Sequence, residues 1–280
     1  MKFFKRENWP VYLAFTIILS LYCMITVVLF LNTFISSFKP QAEFFMQPWK
    51  LPKAFILDNY RRLFRDGFMN YYRNSLTIMI CSIVSVLAIS APAAYGLGRF
   101  KFRGNNALRL YFLIGMMFPG QLAIIPLFNL VKGLGLINKL GGLFVVYTAG
   151  VGVPIFLLTK FTLTIPESLR ESAKIDGASE FKIFTRIFLP LMRPGLGALI
   201  PLTAIGFWND FFLPLIFITA REARTIPLGL RRYHAESGFS LEFTGVMFAA
   251  MTITILPLVL LYIIGSRNII SGITLGSVKQ

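Results

Sequence analysis

Residues 11–31 contain no charged side chain, and the run is long enough to cross the roughly 30 Å hydrocarbon core of a bilayer as a helix. A stretch of this length does not fit a soluble core. It is also too long for the apolar region of a signal peptide, and no A-x-A-like exit follows, so it reads as a first transmembrane helix that stays. Five further apolar runs follow at 74–98, 110–131, 140–159, 195–220 and 243–266. The expected fold is an all-α polytopic membrane protein, with six transmembrane helices in a single transmembrane domain over 1–280. Composition agrees: 56% of residues are hydrophobic and only 14% charged, against about 25% charged in soluble domains.

The connections carry their own signals. Residues 32–73 are polar and aromatic-rich and read as an external connection, with Trp49, Tyr60, Tyr71 and Tyr72 suited to the headgroup level. Pro119-Gly120-Gln121 and Pro126 interrupt the third span, which lipid tolerates only where protein or a wet cavity satisfies the freed backbone. Residues 221–242 form a charged loop and 267–280 a polar tail. Six spans put both termini on one side. Lys and Arg divide almost evenly between the two sides, but the acid-free cluster Arg99, Lys101, Arg103 and Arg109 favours cytoplasmic termini. Cys23 and Cys81 lie in apolar runs and are expected as small buried hydrophobes, with neither disulfide nor metal spacing. With His234 as the single histidine, no metal site is expected.

Residues 164–194 are the longest soluble-looking stretch. Thr164 and Glu167 read as a capping box, with Pro166 in the first turn. Ile165, Leu169 and Ala173 then recur every four residues, which predicts a short amphipathic helix, and Gly177 sits where a glycine would stop it. Ser179 is placed to cap a second helix with Phe181, Phe184 and Phe188 on one face, ended by Pro190 and Pro194.

The spacing within this stretch is specific. Glu171-Ser172-Ala173, three residues, Gly177, nine residues, then Ile187, Leu189 and Pro190 resembles the EAA loop of ATP-binding-cassette (ABC) importer permeases, EAA-x3-G-x9-I-x-LP. Ser172 departs, standing where the family usually has alanine. Ile175 to Ser179 and Leu189-Pro190-Leu191 resemble the carbohydrate-uptake, maltose-type branch, as do Arg73-Asn74-Ser75, Trp208-Asn209-Asp210-Phe211 and the tail from Gly272. The resemblance implies a binding-protein-dependent inner-membrane permease for a carbohydrate, an oligosaccharide by preference, working by alternating access. The implied partners are a homologous second permease, two ATPase subunits, an extracytoplasmic solute-binding protein and the bilayer. It also implies that the loop faces the cytoplasm as a coupling helix, with Leu169, Glu171, Ser172, Ala173, Asp176, Gly177, Ala178 and Pro190 meeting the ATPase. The Arg221–Glu242 connection, through Arg224, Arg231 and Arg232, is the candidate contact for the binding protein.

The chain's own chemistry fits a transport subunit. No G-x4-G-K-[ST] loop and no catalytic signature occurs, so no catalytic residue and no cofactor are assigned to this chain; ATP and Mg would be bound by the ATPase partners. Asp210 is the one acid well inside a span. With Asn209 it is a candidate either for the translocation path or for an interhelical clasp, and the clasp is the preferred reading. A membrane-embedded enzyme would need a polar catalytic cluster in the spans, and a stand-alone secondary transporter would show internal repeats and several buried ionisable groups; neither pattern is found. The net charge of +16 is scattered over every loop, so attraction to anionic lipid explains it better than a nucleic-acid groove.

Overall fold

The computed structural model describes residues 9–239 and 244–277, and these are helical with no strand among them. The helices are α1 (Trp9–Ser36), α2 (Gln41–Met46), α3 (Asp58–Arg65), α4 (Phe68–Arg99), α5 (Asn105–Met117), α6 (Ile124–Gly133), α7 (Leu140–Ala149), α8 (Gly152–Thr164), α9 (Ser168–Ile175), α10 (Glu180–Ile183), α11 (Leu189–Leu191), α12 (Arg193–Asn209), α13 (Phe212–Phe217), α14 (Ile226–Phe239) and α15 (Thr244–Ser277). A π-helical turn, Phe184–Phe188, joins α10 to α11, and short 3-10 turns occupy Gly120–Ala123 and Arg221–Ala223.

Four segments are long and apolar enough to cross a membrane unaided: Trp9–Ser36, Phe68–Arg99, Leu140–Thr164 and Thr244–Ile263. Two bent pairs raise the number to six when each is taken as one span. Asn105–Met117 and Gly120–Gly133 meet at 91°, and Glu180–Leu191 and Arg193–Asn209 at 69°. The third span is therefore broken at Phe118-Pro119, far more sharply than a proline kink, and Pro126 lies in the first turn of α6. The apolar run 195–220, expected as the fifth span, is interrupted at Asp210, because α12 ends there and α13 starts afresh.

Other boundaries differ from expectation. The charged 221–242 loop is mostly the helix α14; Glu242 lies outside the described residues. The tail stays helical to Ser277, with no proline between 267 and 277 to interrupt it despite Gly272 and Gly276, and residues 278–280 lie outside the described residues. Tyr71 is buried in the first turns of α4. Cys23 and Cys81 are exposed, as side chains on the outer apolar face of a membrane-spanning chain are.

The chain divides into two compact units. One comprises Met1–Phe68 and Leu230–Ile255. Here α1 is apolar on every side and buries only Ser36, which suits a helix surrounded by lipid. The connection after it is stapled by polar contacts. Asn59 Nδ2 donates to the Ser37 and Lys39 carbonyls at 2.8 and 2.9 Å. The wholly buried Lys39 ammonium donates to the Gln47 and Pro48 carbonyls at 3.2 and 2.8 Å. Burial pulls its pKa below the ordinary lysine value, against the field of Glu43.

The second unit comprises Met69–Gly229 and Leu256–Gln280. It has two apolar centres. One gathers Ala91, Ala94 and Tyr95 of α4, Leu158 of α8, Ile165, Ala173, Ile183, Phe188 and Met192 of the 164–194 stretch, and Leu199 of α12. The other joins Ile78, Val131, Leu143, Tyr147, Phe217 and Ile218. Close approach of α4 and α8 needs a glycine: a Cβ on Gly98 would stand 2.7 Å from Thr162 Cγ2. Asn138, at φ 61°, lets its Oδ1 accept from the Thr219 and Ala220 amides and the Thr219 hydroxyl, so the turn after α6 closes on the end of α13. At the start of α4, Asn74 Nδ2 donates to the Glu222 and Arg224 carbonyls and Ser75 Oγ accepts from the Ile226 amide.

Candidate coupling site

The 164–194 stretch folds as two short helices around Gly177. At the end of α9 the Gly177 amide donates to the Lys174 carbonyl at 3.0 Å and the Ala178 amide to the Ala173 carbonyl at 2.9 Å. These two bonds form a Schellman stop, which requires the left-handed φ of +76° that Gly177 adopts. Ser179 then caps α10, its hydroxyl accepting from the Lys182 amide at 3.4 Å. Ala173 and Ile183 turn inward, so both helices rest on the apolar centre beneath them.

A chain of charges fastens them to the membrane-embedded helices. Arg99, the last residue of α4, has a side chain only 6% exposed and pairs with Glu167 at 2.8 Å. Its guanidinium also donates to the Thr162 and Ile165 carbonyls at the end of α8 and lies 4.8 Å from the centre of the Phe188 ring. Glu167 holds Arg170 at 2.8 Å, Arg170 holds Glu180 at 2.5 Å, and Lys174 joins Glu180 at 2.8 Å. Tyr95 of α4 donates to Glu180 at 2.7 Å. Burial alone would raise the Glu180 carboxyl, yet hydrogen bonds from Arg170, Lys174 and Tyr95 hold it down at about 2. Arg170 is raised above the usual arginine range, chiefly by its bond to Glu180.

Three departures from the sequence reading follow, the first of them explained by this network. Thr164 and Glu167 form no capping box. Helix α8 runs on to Thr164, whose hydroxyl donates back to the Phe161 carbonyl at 2.8 Å; Pro166 lies outside any helix, and α9 starts at Ser168 with no side-chain cap. Two guanidiniums claim the Glu167 carboxylate, and one backbone amide does not compete with them. The Phe181, Phe184 and Phe188 stripe is also split. The π turn carries an extra residue, so Phe188 is buried and Phe184 rests on Tyr95 at 5.3 Å, while Phe181 is 77% exposed. Pro190 does not end the helix either: it sits in the first turn of α11, and the 69° bend comes two residues later at Met192, ahead of Pro194.

The named coupling residues fall into two groups. Ala173 is buried, and Ala178 and Pro190 are half-buried. Leu169, Glu171, Ser172, Asp176 and Gly177 are exposed. Among the described residues the Glu171 and Asp176 carboxylates have no hydrogen bond or ion pair, in contrast to those of Glu167 and Glu180. Two apolar side chains of the loop are exposed, Ile175 at 86% and Phe181 at 77%, although Phe181 was expected on an apolar face shared with Phe184 and Phe188. The pattern that marks them is an apolar residue off the buried face of a short helix.

Elsewhere in this unit Asp210 accepts from the Tyr147 hydroxyl at 2.8 Å with one carboxylate oxygen and from the Phe212 and Leu213 amides with the other. The Tyr147 ring stacks on Phe207, centroids 4.5 Å apart. Asn209 is exposed. Arg224 donates to the Thr219 carbonyl at 3.3 Å and its own carbonyl is held by Asn74. In the first unit, Arg231 is exposed and Arg232 is half-buried beside the Tyr233 ring at 6.0 Å.

A helical chain with several segments able to cross a membrane and an anchored polar loop is of the polytopic membrane-protein class. Residues 88–274 match the family of binding-protein-dependent transport system inner membrane components. The arabinooligosaccharides transport system permease protein of Bacillus subtilis is 34% identical over 281 residues, covering 96% of this chain and 98% of that one. The diacetylchitobiose uptake system permease protein of Streptomyces coelicolor is 31% identical over 264 residues, covering 94% and 87%. Among solved structures, a bacterial ABC transporter involved in the import of the acidic polysaccharide alginate superposes with a TM-score of 0.82 at 23% identity, covering 95% of this chain and 99% of that one. The chain belongs to the binding-protein-dependent transport system inner membrane component family. It is a permease subunit, a transport component and not an enzyme, and its family implies ATPase and solute-binding partners.

The Glu180 network gives a pH signature. A carboxyl held below its ordinary value stabilises the loop fully above about pH 4.3, and the contribution is lost as pH falls through about 2. Hydrogen exchange at the Ala178 amide, corrected for the intrinsic rate, should show unchanged protection from pH 7 to about 4. Glu180→Gln should weaken that protection already at pH 7, by about 1 kcal/mol. Loss of wild-type protection by pH 5 would mean the ion network does not hold the loop.

Proposed function

We propose that this chain is the permease subunit of an importer for a carbohydrate, an oligosaccharide in the first instance, delivered by an extracytoplasmic binding protein. The complex contains a homologous second permease and two ATPase subunits, which bind ATP and Mg and dock on the 164–194 loop at the cytoplasmic face. One observation carries this reading: the loop is locked to α4 and α8 on one side and leaves Glu171, Asp176, Ile175 and Phe181 exposed on the other. A lever needs both properties. The carbohydrate assignment is supported by the relatives, named for uptake of diacetylchitobiose, arabinooligosaccharides and, in Streptococcus mutans, multiple sugars. Asp210 has both oxygens engaged and serves as a clasp between α7 and the break before α13, whereas the exposed Asn209 is the polar group available to a passing substrate.

In the reconstituted complex, Glu171→Lys and Gly177→Pro should lower transport per ATP hydrolysed by at least about tenfold while the protein still inserts, since reversing one charge of a docked pair costs about 2 kcal/mol or more. Proline cannot reach the φ of +76° that Gly177 holds. Wild-type coupling in both variants would remove the loop from the ATPase contact.

Termini and loop are assigned to the cytoplasm. In a background free of Cys23 and Cys81, a cysteine at position 50 should label from outside intact cells and one at position 103 should not; the opposite pattern reverses the orientation.

Arg231 and Arg232, with Arg224 nearby in sequence, are assigned to the binding-protein contact. Arg231→Ala with Arg232→Ala should raise the binding-protein concentration needed for half-maximal ATPase stimulation without changing the maximum, and more so at low salt. An unchanged curve at both salt concentrations would clear these arginines of docking.

A further inference from the structure

A groove of about 320 Å³ opens on the second unit where α4 ends, α5 begins and α8 ends. Its polar lining is Asn106 and Arg109 in the first turns of α5, with Thr159 and Lys160 near the end of α8. Deeper along α5 come Leu110, Phe112 and Leu113, and deeper along α8 come Phe156 and Ile155. The groove therefore runs from charged at the membrane edge to apolar toward the membrane interior; Leu97 and Leu163 are the apolar residues at the charged end. No acid lines it.

The two cations are incompletely used. The Arg109 guanidinium donates to the Leu97 carbonyl, and its Nε is buried with no partner. The Lys160 ammonium lies 5.5 Å from the centre of the Phe156 ring. Neither has an acidic partner among the described residues. Leu110 and Leu113, 53% and 39% exposed, continue the apolar wall outward. In a membrane-spanning chain such a wall faces acyl chains, while two cations at its edge call for an anion. One molecule meets both demands.

We propose that this groove binds an anionic phospholipid, its headgroup phosphate held by Arg109 and Lys160 and one acyl chain laid along Phe112, Leu113 and Phe156. Arginine offers a planar set of donors to phosphate oxygens and lysine a flexible point charge. A free phosphate would satisfy the cations and leave the apolar wall uncovered. The occupied site would hold α5 against α8 beside the carbonyls that Arg99 gathers. It does not depend on which side of the membrane the loop faces.

The test is native mass spectrometry of the permease purified in its importer complex, titrated with phosphatidylglycerol or phosphatidylcholine of matched chains. Wild type should retain phosphatidylglycerol preferentially, and millimolar inorganic phosphate should not displace it. Arg109→Ala with Lys160→Ala should weaken phosphatidylglycerol binding by about tenfold or more, as expected for two interfacial cations. The exposed Lys160→Ala alone, which leaves the Leu97 contact intact, should weaken it by a smaller factor, and Lys160→Arg should restore it. Equal retention of the two lipids, displacement by inorganic phosphate, or an unchanged preference in Lys160→Ala would each overturn the proposal. So would binding to the isolated chain that vanishes in the complex, which would assign the groove to a neighbouring subunit.

Discussion

Arg99 is the residue on which the rest of the second unit turns. It stands at the point where α4 leaves the apolar run and meets three kinds of negative charge at once: the Glu167 carboxylate, the last carbonyls of α8, and the face of the Phe188 ring. The final carbonyls of a helix have no intrahelical donors and carry the negative end of its dipole, so a cation there is favoured. A guanidinium buried this deeply is costly unless its donors are used. The consequence is mechanical. Arg99 links α4 to α8, Glu167 passes the link to Arg170, and Glu180 returns it to Tyr95 on α4. The loop between the fourth and fifth spans is thereby closed into a ring of polar contacts over an apolar centre and tied to the helices beneath it.

The broken spans obey the other governing constraint, that backbone groups freed at membrane depth must find partners within the protein. At the break after α12, Asp210 takes the Phe212 and Leu213 amides with one oxygen and uses the other to hold Tyr147, so a single carboxylate repairs one helix start and ties it to α7. At the far end of the same segment, Asn138 does the equivalent with a carbonyl oxygen that accepts from two amides and a hydroxyl. Its positive φ is the local cost of aiming that oxygen. Polar residues inside an apolar chain are here the means by which irregular backbone is tolerated.

These relations set what the sequence could reveal. The spans were legible because absence of charge over some twenty residues is a strong signal that needs no tertiary context. The Gly177 stop and the Ser179 cap were legible because each is decided within four or five residues. The Thr164–Glu167 capping box failed for the opposite reason: its glutamate is claimed by Arg99, distant in sequence but adjacent in space. The phenylalanine stripe assumed a uniform 3.6-residue period that the π turn at Phe184–Phe188 breaks. Helix α14 was hidden by its charges, since a helix with scattered arginines and glycines has no clean apolar face to detect. Phe181 was placed on a shared apolar face and Ile175 within the motif, but the exposure of both was missed because exposure cannot be read from an apolar letter alone.

The distribution of acids on the loop carries the last step. Four carboxylates lie between 167 and 180, and they are not equivalent. Glu167 and Glu180 face inward, each bound to at least one arginine, whereas Glu171 and Asp176 face outward with no partner among the described residues. On a chain with net charge +16, two acids with no side-chain partner among the described residues share the loop with exposed Ile175 and Phe181. Surface acids of this kind do little for stability, since exposed ion pairs contribute at most about 1 kcal/mol. Exposed isoleucine and phenylalanine outside the spans do less. The inward acids hold the loop's shape, and the outward set is what a separate protein surface, apolar with a cationic edge, would meet.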